Sequence, residues 1–349
     1  MIFLHTADLH LDAPMEAGIS QSKAMERRRE LYLTLESIAE AGKQLGATAI
    51  LIAGDLFDGV TPSPTAVSRV AGIIEAYPHI DFILLCGNHD ATAGAALPSL
   101  KNLKTFGEGQ GKVFRYSNVA IYGSERPDAS PESLGMNKED VNIVMLHGEL
   151  RQSTGEQISL SRWQNQGVDY LALGHYHSFE AGKLDGRGSY AYAGCPAGRG
   201  FDECGEKGFV KLSVEGSSVE SSFVPLEGRR YHTVRVDVSA LGSSFEVQNA
   251  IDEATRHISE SDGVKVELVG EVTPSLLPDT KMLASRLSGR FWLTKVKDQT
   301  TLKAQGKATD KSLYGVFARL VTEKIQDEEM RQRVLLCGLR AMRGEEMAE

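Results

Sequence analysis

Cysteine is scarce and scattered. Cys86, Cys195, Cys204 and Cys337 are the four in the chain, and none forms a C-x-x-C pair. That spacing excludes a disulfide framework and a thiolate zinc site. There is no run of about 18 apolar residues, so no membrane-spanning helix is expected. The first residues carry no basic leader and reach a charge at Asp8, which is not the pattern of a secretory signal. A reducing cytoplasm is the expected setting. Positive charge is also short: 38 Lys and Arg stand against 47 Asp and Glu, a net charge of -9. A protein that grips a polyphosphate chain by charge alone is basic. Such a substrate would therefore need local attraction, bound metal or a partner. Internal repeats and low-complexity tracts are absent. What remains is an ordinary soluble composition, 41% hydrophobic and 24% charged over 349 residues, enough for one large domain or two.

Against that plain background one stretch stands out. Ile80–Cys86 is an apolar run, and it ends in Gly87-Asn88-His89-Asp90. A packed core has no need of Asn, His and Asp together after a buried strand, whereas a metal site does. The same arrangement recurs upstream. Residues 2–7 read as a buried strand ending in Asp8-Leu9-His10-Leu11-Asp12. Residues 22–45 read as a helix with Leu31, Leu35, Ile38 and Leu45 inward and the charged Glu26–Glu30 segment outward. Ala47–Ala53 is a second buried strand, ending in Gly54-Asp55-Leu56-Phe57-Asp58. Pro62 and Pro64 open a second helix. Strand, helix, strand, helix, strand predicts parallel strands with crossover helices, whose sites form at the carboxyl ends of the strands. Val141–Leu146 then ends in His147, and Asp169–Leu173 ends in Gly174-His175-Tyr176-His177. Short β-like runs to Val224 complete a second sheet. From about residue 230 a strand, helix, strand, strand unit is expected, with Phe291–Val296 as the last strand, and from Leu313 the chain is helical.

Asp8, His10, Asp55, Asn88, His147, His175 and His177 thus gather at strand ends. Carboxylate, imidazole and amide oxygen suit Mn, Fe or Zn. Seven ligands are too many for one ion and suit two if a carboxylate bridges, with Asp55 the natural bridge. Two ions about 3.5–4 Å apart can clamp a phosphoryl group and activate water near neutral pH.

Asp-x-His, Gly-Asp-x-x-Asp, Gly-Asn-His-Asp, a lone His-Gly and Gly-His-x-His, in that order, resemble the calcineurin-like metallophosphoesterase superfamily over residues 1–225. The opening His5–Asp12, together with Tyr192-Ala193-Gly194-Cys195-Pro196, Arg199 and Gly205–Phe209, is similar to SbcD-type DNA repair exonucleases, especially the YhaO-like branch. The resemblance implies a four-layer αββα sandwich over 1–228, a small α+β cap over 229–300 that positions DNA, and a partner-binding helical segment over 301–349. It implies one metal on Asp8, His10, Asp55 and His177 and another on Asp55, Asn88, His147 and His175, with Mn²⁺ foremost. It implies that His89 assists the leaving oxygen and that Asp58 orients His89. Its implied partners are DNA and an SbcC-like coiled-coil ATPase subunit, with a homodimer as a family expectation.

Other residues admit plainer roles. Asp12 and Asp90 either support the ligands from outside or cap loop N–H groups. His5 is expected to be structural, and His79, His232 and His257 incidental. Arg27-Arg28-Arg29 reads as a solvated helix stripe. Arg199 is a candidate contact to substrate phosphate. Tyr176 either meets substrate or packs. The expected activity is hydrolysis of DNA phosphodiesters by an exonuclease. The alternatives are a small-molecule phosphodiesterase or phosphatase on the same site, and a non-catalytic scaffold.

Overall fold

The computed structural model describes residues 1–15, 19–106, 112–126, 129–150, 157–302 and 312–342. Parts of the expected helical segment 301–349, namely 303–311 and 343–349, lie outside the described residues. Contacts divide the chain into two compact units, Met1–Arg230 and Tyr231–Glu349. None of the described helices is long and apolar enough to cross a membrane.

The first unit runs β1 (Ile2–Thr6), α1 (Gln21–Leu45), β2 (Ala49–Ala53), α2 (Pro64–Ala76), β3 (Asp81–Leu85), α3 (Ala93–Ala96), β4 (Leu103–Thr105), β5 (Val113–Tyr116), β6 (Val119–Ser124), α4 (Pro131–Leu134), β7 (Val141–His147), β8 (Tyr170–Gly174), β9 (Glu180–Lys183), β10 (Ser189–Tyr192), β11 (Gly208–Glu215) and β12 (Ser218–Pro225). Two six-stranded sheets result, in the orders β12-β11-β1-β2-β3-β4 and β5-β6-β7-β8-β10-β9. In the first, β1 to β4 are parallel; in the second, β6, β7, β8 and β10 are. Strands buried on both faces need apolar residues throughout. In β2, Ile50 and Ile52 face a core shared with the helices, while Ala49, Leu51 and Ala53 face the core between the sheets. Helices α1 and α2 cover the first sheet. The outer face of the second is closed by Leu134, Ile158, Trp163 and Leu184, carried on the one-turn α4, a 3₁₀ turn and loops.

Helix α1 starts at Ser20, whose side chain accepts from Lys23 N–H, and stops at Gly46 with φ 67°. Leu31, Leu35 and Ile38 are buried as expected, but Leu45 is exposed. The charged stripe differs from expectation at Arg27, which is buried. Its Nε donates to the Gly198 carbonyl at 3.0 Å and its Nη1 to Glu30 at 2.5 Å. A buried guanidinium persists only with such partners. Arg229 also holds Glu30, at 2.8 Å.

The second unit runs β13 (Tyr231–Asp237), α5 (Ser244–Ala254), β14 (Gly263–Val272), α6 (Thr280–Ser288), β15 (Leu293–Leu302), α7 (Leu313–Lys324) and α8 (Glu328–Met342). All three strands are parallel, in the order β13-β14-β15. The helix between β14 and β15 is absent from the sequence reading. It is short, capped by Asp279 on Met282 N–H, and buries Leu283 and Leu287. Val321 of α7 and Leu335 and Leu339 of α8 join the core of this sheet, while Leu313, Val316, Leu320 and Met330 are exposed.

Two outcomes test the Arg27 cluster. Replacing Arg27 by Met is expected to cost about 2–3 kcal/mol in urea unfolding, because the Gly198 carbonyl and Glu30 lose a charged donor. Burial opposes the Glu30 charge, but Arg229 and Arg27 outweigh it and hold the carboxyl below its ordinary 4.5. A depressed folded value means that this stabilisation is complete above the unfolded value and fades as pH falls through the folded one. Glu30→Gln should therefore be less stable than wild type at neutral pH, and the difference should shrink as pH falls below 4.5 through the depressed folded value.

Candidate metal centre

The chain leaves β1 and β2 side by side. Asp8 N–H donates to Gly54 O at 3.1 Å, His10 N–H to Asp55 O at 3.0 Å and Leu11 N–H to Leu56 O at 2.9 Å. Side chains are turned inward by left-handed backbone at Asp8 (φ 52°), His10 (φ 44°), Asp55 (φ 51°) and His175 (φ 102°). Such conformations cost of order 1–3 kcal/mol each outside glycine, and they persist where surrounding structure over-determines them. Two contacts stitch the sheets together here. His147 Nδ1, at the end of β7, lies 2.9 Å from the Ala53 carbonyl at the end of β2. His175 N–H, after β8, donates to Asp8 Oδ1 at 2.9 Å.

These contacts set the tautomers. His147 Nδ1 can only donate to a carbonyl, which leaves Nε2 as the nitrogen turned to Asn88 Oδ1 at 2.9 Å and Asp55 Oδ2 at 3.4 Å, a donor in the protonated ring and a lone pair in the neutral one. His177 Nδ1 lies 2.7 Å from Glu203 Oε1 and His10 Nδ1 lies 2.8 Å from Asp58 Oδ1. Their Nε2 atoms turn toward each other, 3.1 Å apart, with Asp55 Oδ2 3.6 Å from His10 Nε2. Two groups of possible metal donors result, and Asp55 lies between them. Divalent cations fit this donor set, and two clusters that share Asp8, Asp8–His10–His177 and Asp8–Asp55–His147, bring their ligand atoms within 4.8 Å. Burial foremost pushes the Asp8 carboxyl up, with Asp55 adding to it. Burial opposes charge on His147, but Asp55 and Asp8 overrule it and push the imidazole up to about 9. The pocket demands positive charge.

All seven expected ligands converge. His175 does so by its backbone and by its ring, 5.3 Å from that of His147 between centroids. His89 stands at the rim, half-exposed, its ring centroid 5.0 Å from that of His10. Asp58 lies 3.9 Å from His89 Nδ1, beyond hydrogen-bond reach, and its nearer partners are His10 and Arg199. The Arg199 guanidinium is committed to Glu203 at 2.7 Å and to Asp58 at 2.9 Å. Tyr176 sets its edge on Tyr192 and leaves 40% of its surface open. Asp90 resolves as a loop clamp, accepting from Gly87 N–H at 2.8 Å and Phe57 N–H at 3.1 Å, and Asp12 accepts from Ser63 N–H at 3.2 Å. His5 is buried against Tyr170 OH at 2.9 Å, and burial lowers it to about 3. Glu203 is a site residue that the sequence reading missed. Its one signal is an acid four residues after Arg199.

A model of the calcineurin-like phosphoesterase family matches residues 1–179. The chain belongs to this family. Its relatives include the DNA double-strand break repair protein Mre11 of Methanosarcina acetivorans, 24% identical over 316 residues, covering 84% of this chain and 50% of the relative. The uncharacterized metallophosphoesterase YhaO of Bacillus subtilis is 26% identical over 263 residues, 68% of this chain and 64% of the relative. The SbcD component of nuclease SbcCD from Rhodobacter capsulatus is 36% identical over 97 residues, 26% of this chain and 22% of the relative. The chain thus spans about half the length of the first relative and under two thirds of the second. As a member of this family it is a metallophosphoesterase, and the family uses two divalent metals.

Gly87 shows how tightly the family motif is fitted. A Cβ there would meet Asp55 Oδ1 at 2.1 Å. The glycine is needed for this close approach. Gly87→Ala is expected to fold, judged by circular dichroism, and to lose at least tenfold in metal affinity by calorimetric titration, because Asp55 must move.

Proposed function

We propose that the chain is a two-metal phosphodiesterase acting on DNA, an SbcD-type exonuclease with Mn²⁺ as its metal, working in the cytoplasm. The observation that carries the chemistry is the convergence of imidazole, amide and carboxylate lone pairs around Asp55. The DNA reading is supported by the names of the Mre11 and SbcCD relatives.

Asp8, His10, Asp55 and His177 would hold one cation and Asp55, Asn88, His147 and His175 the other. Bound there, the two ions supply Lewis acidity toward phosphoryl oxygens and an activated water. The chain's own residues do the rest. Asp55, buried and accepting from His89 N–H at 3.0 Å, fixes the backbone of the rim. His89, with half its side chain in solvent, is free to approach a bound phosphodiester and pass a proton to the leaving oxygen. Tyr176 offers an exposed ring beside the ligands for a sugar or base. In this reading the cap over 229–300 positions DNA. The exposed Leu313, Val316 and Leu320 of α7 offer an apolar face to a coiled-coil ATPase subunit that contributes the DNA affinity a -9 chain lacks. The same net charge favours one competing reading, a small-molecule phosphodiesterase.

The test is an assay with Mn²⁺ on end-labelled duplex DNA, single-stranded DNA, a cyclic nucleotide and an aryl phosphodiester. DNA cleavage is expected, with His89→Ala lowering kcat by about 10²–10⁴ while metal content stays at wild-type level. Turnover of the small esters alone, with and without an ATPase partner, would replace the nuclease by the competing reading. Asp55→Ala is expected to bind neither metal at wild-type affinity; one site unchanged by calorimetry removes Asp55 as the bridge.

A further inference from the structure

A second layer of charged groups backs the His10/His177 side of the site, and two of them, Arg199 and Glu203, lie beyond residue 179, where the family match ends. Glu203 is buried, and its Oε1 lies 2.7 Å from His177 Nδ1. Asp58 Oδ1 lies 2.8 Å from His10 Nδ1. Arg199 spans the two carboxylates, with Nη2 donating to Glu203 Oε1 at 2.7 Å and Nη1 to Asp58 Oδ1 at 2.9 Å. Its own backbone N–H donates to Glu203 Oε2 at 2.6 Å, closing the loop on itself. The loop is held from behind by Arg27, which grips the carbonyl of Gly198. The backbone of His177 is pinned as well, its carbonyl accepting from Lys207 Nζ at 3.1 Å and Cys195 N–H at 3.2 Å. On the other side, His147 Nδ1 is backed by the neutral carbonyl of Ala53.

We propose that Glu203, Arg199 and Asp58 form one positioning array dedicated to the His10/His177 cation, and that Arg199 is a member of this array instead of a phosphate contact. Glu203 accepts from His177 Nδ1 and Asp58 stands 2.8 Å from His10 Nδ1, so each favours the tautomer whose Nε2 can donate to metal, and the planar guanidinium locks the spacing of the two carboxylates. Lysine, a point charge, cannot span both. The array therefore bears directly on one of the two cation sites. This rests on the two-metal reading above and concerns only the selectivity between the sites.

Metal titration by calorimetry, with Mn²⁺ as the probe, separates the two ideas. Wild type is expected to take up two ions, and uptake of fewer removes the two-metal reading itself. Glu203→Gln keeps the shape of the side chain and Arg199→Lys keeps the charge. In each, one site is expected to weaken about 10–100-fold while the other holds its wild-type affinity and serves as the internal control for folding. The electron paramagnetic resonance spectrum at stoichiometric Mn²⁺ should change from a spin-coupled pair to an isolated ion. Glu206→Gln, an exposed acid in the same loop, should leave both sites as they were. Two sites at wild-type affinity in both Glu203→Gln and Arg199→Lys, or equal weakening of both sites in a variant whose apo form melts as wild type, overturns the proposal.

Discussion

The first unit depends on one crowded contact: imidazole and carboxylate groups brought together where the strand ends meet. His10 Nε2 and His177 Nε2 lie 3.1 Å apart, and His147 Nε2 lies 2.9 Å from Asn88 Oδ1. Asp8, His10 and Asp55 are buried, and burying carboxylates together costs free energy. Four left-handed non-glycine residues at Asp8, His10, Asp55 and His175 add to that cost. The two sheets carry it because their cores are closed on both faces, from Leu4 and Ile50 on the helix side to Phe3, Leu51 and Ile143 between the sheets. A cation removes the frustration, so the stability of this fold and the occupancy of its site are linked quantities.

What could be read from the sequence followed strand ends. An apolar run that stops in Asp-x-His or Asn-His-Asp reports a buried strand and the polarity at its carboxyl end, and parallel topology then forces the ends together. That logic reaches Asp8, His10, Asp55, Asn88, His147, His175 and His177 without any knowledge of distance. It does not reach Glu203, which lies in a polar loop with no periodicity and meets His177 across 26 residues. Nor does it reach Arg27, because a run of three arginines on a helix reads as solvated unless the Gly198 carbonyl opposite is known. Helix α6 was missed for a related reason. Its two buried leucines, four residues apart, make too short a stripe to outweigh the strand pattern on either side.

Gly87 and Asp58 show a finer limit. Both are legible as motif members, and the physical task of each is not. Gly87 clears space for Asp55. Asp58 sits nearer to His10 than to His89, at 2.8 Å against 3.9 Å. Spacing in a motif reports which residues gather, while the partner each one takes depends on the loop that arrives from elsewhere, here the one carrying Arg199 and Glu203.

The charge of the site bears on the charge of the chain. Asp8, Asp55, Asp58 and Glu203 are four carboxylates, the first two buried, gathered near the Arg199 guanidinium and the His147 imidazole, so the metal-free site is acidic where an anion must arrive. Two divalent cations would set four positive charges against that acidity. A phosphodiester is therefore repelled by the metal-free pocket and attracted by the loaded one, with burial sharpening both effects. Attraction produced in this way is local. It needs no basic surface, and a chain with a net charge of -9 can carry it.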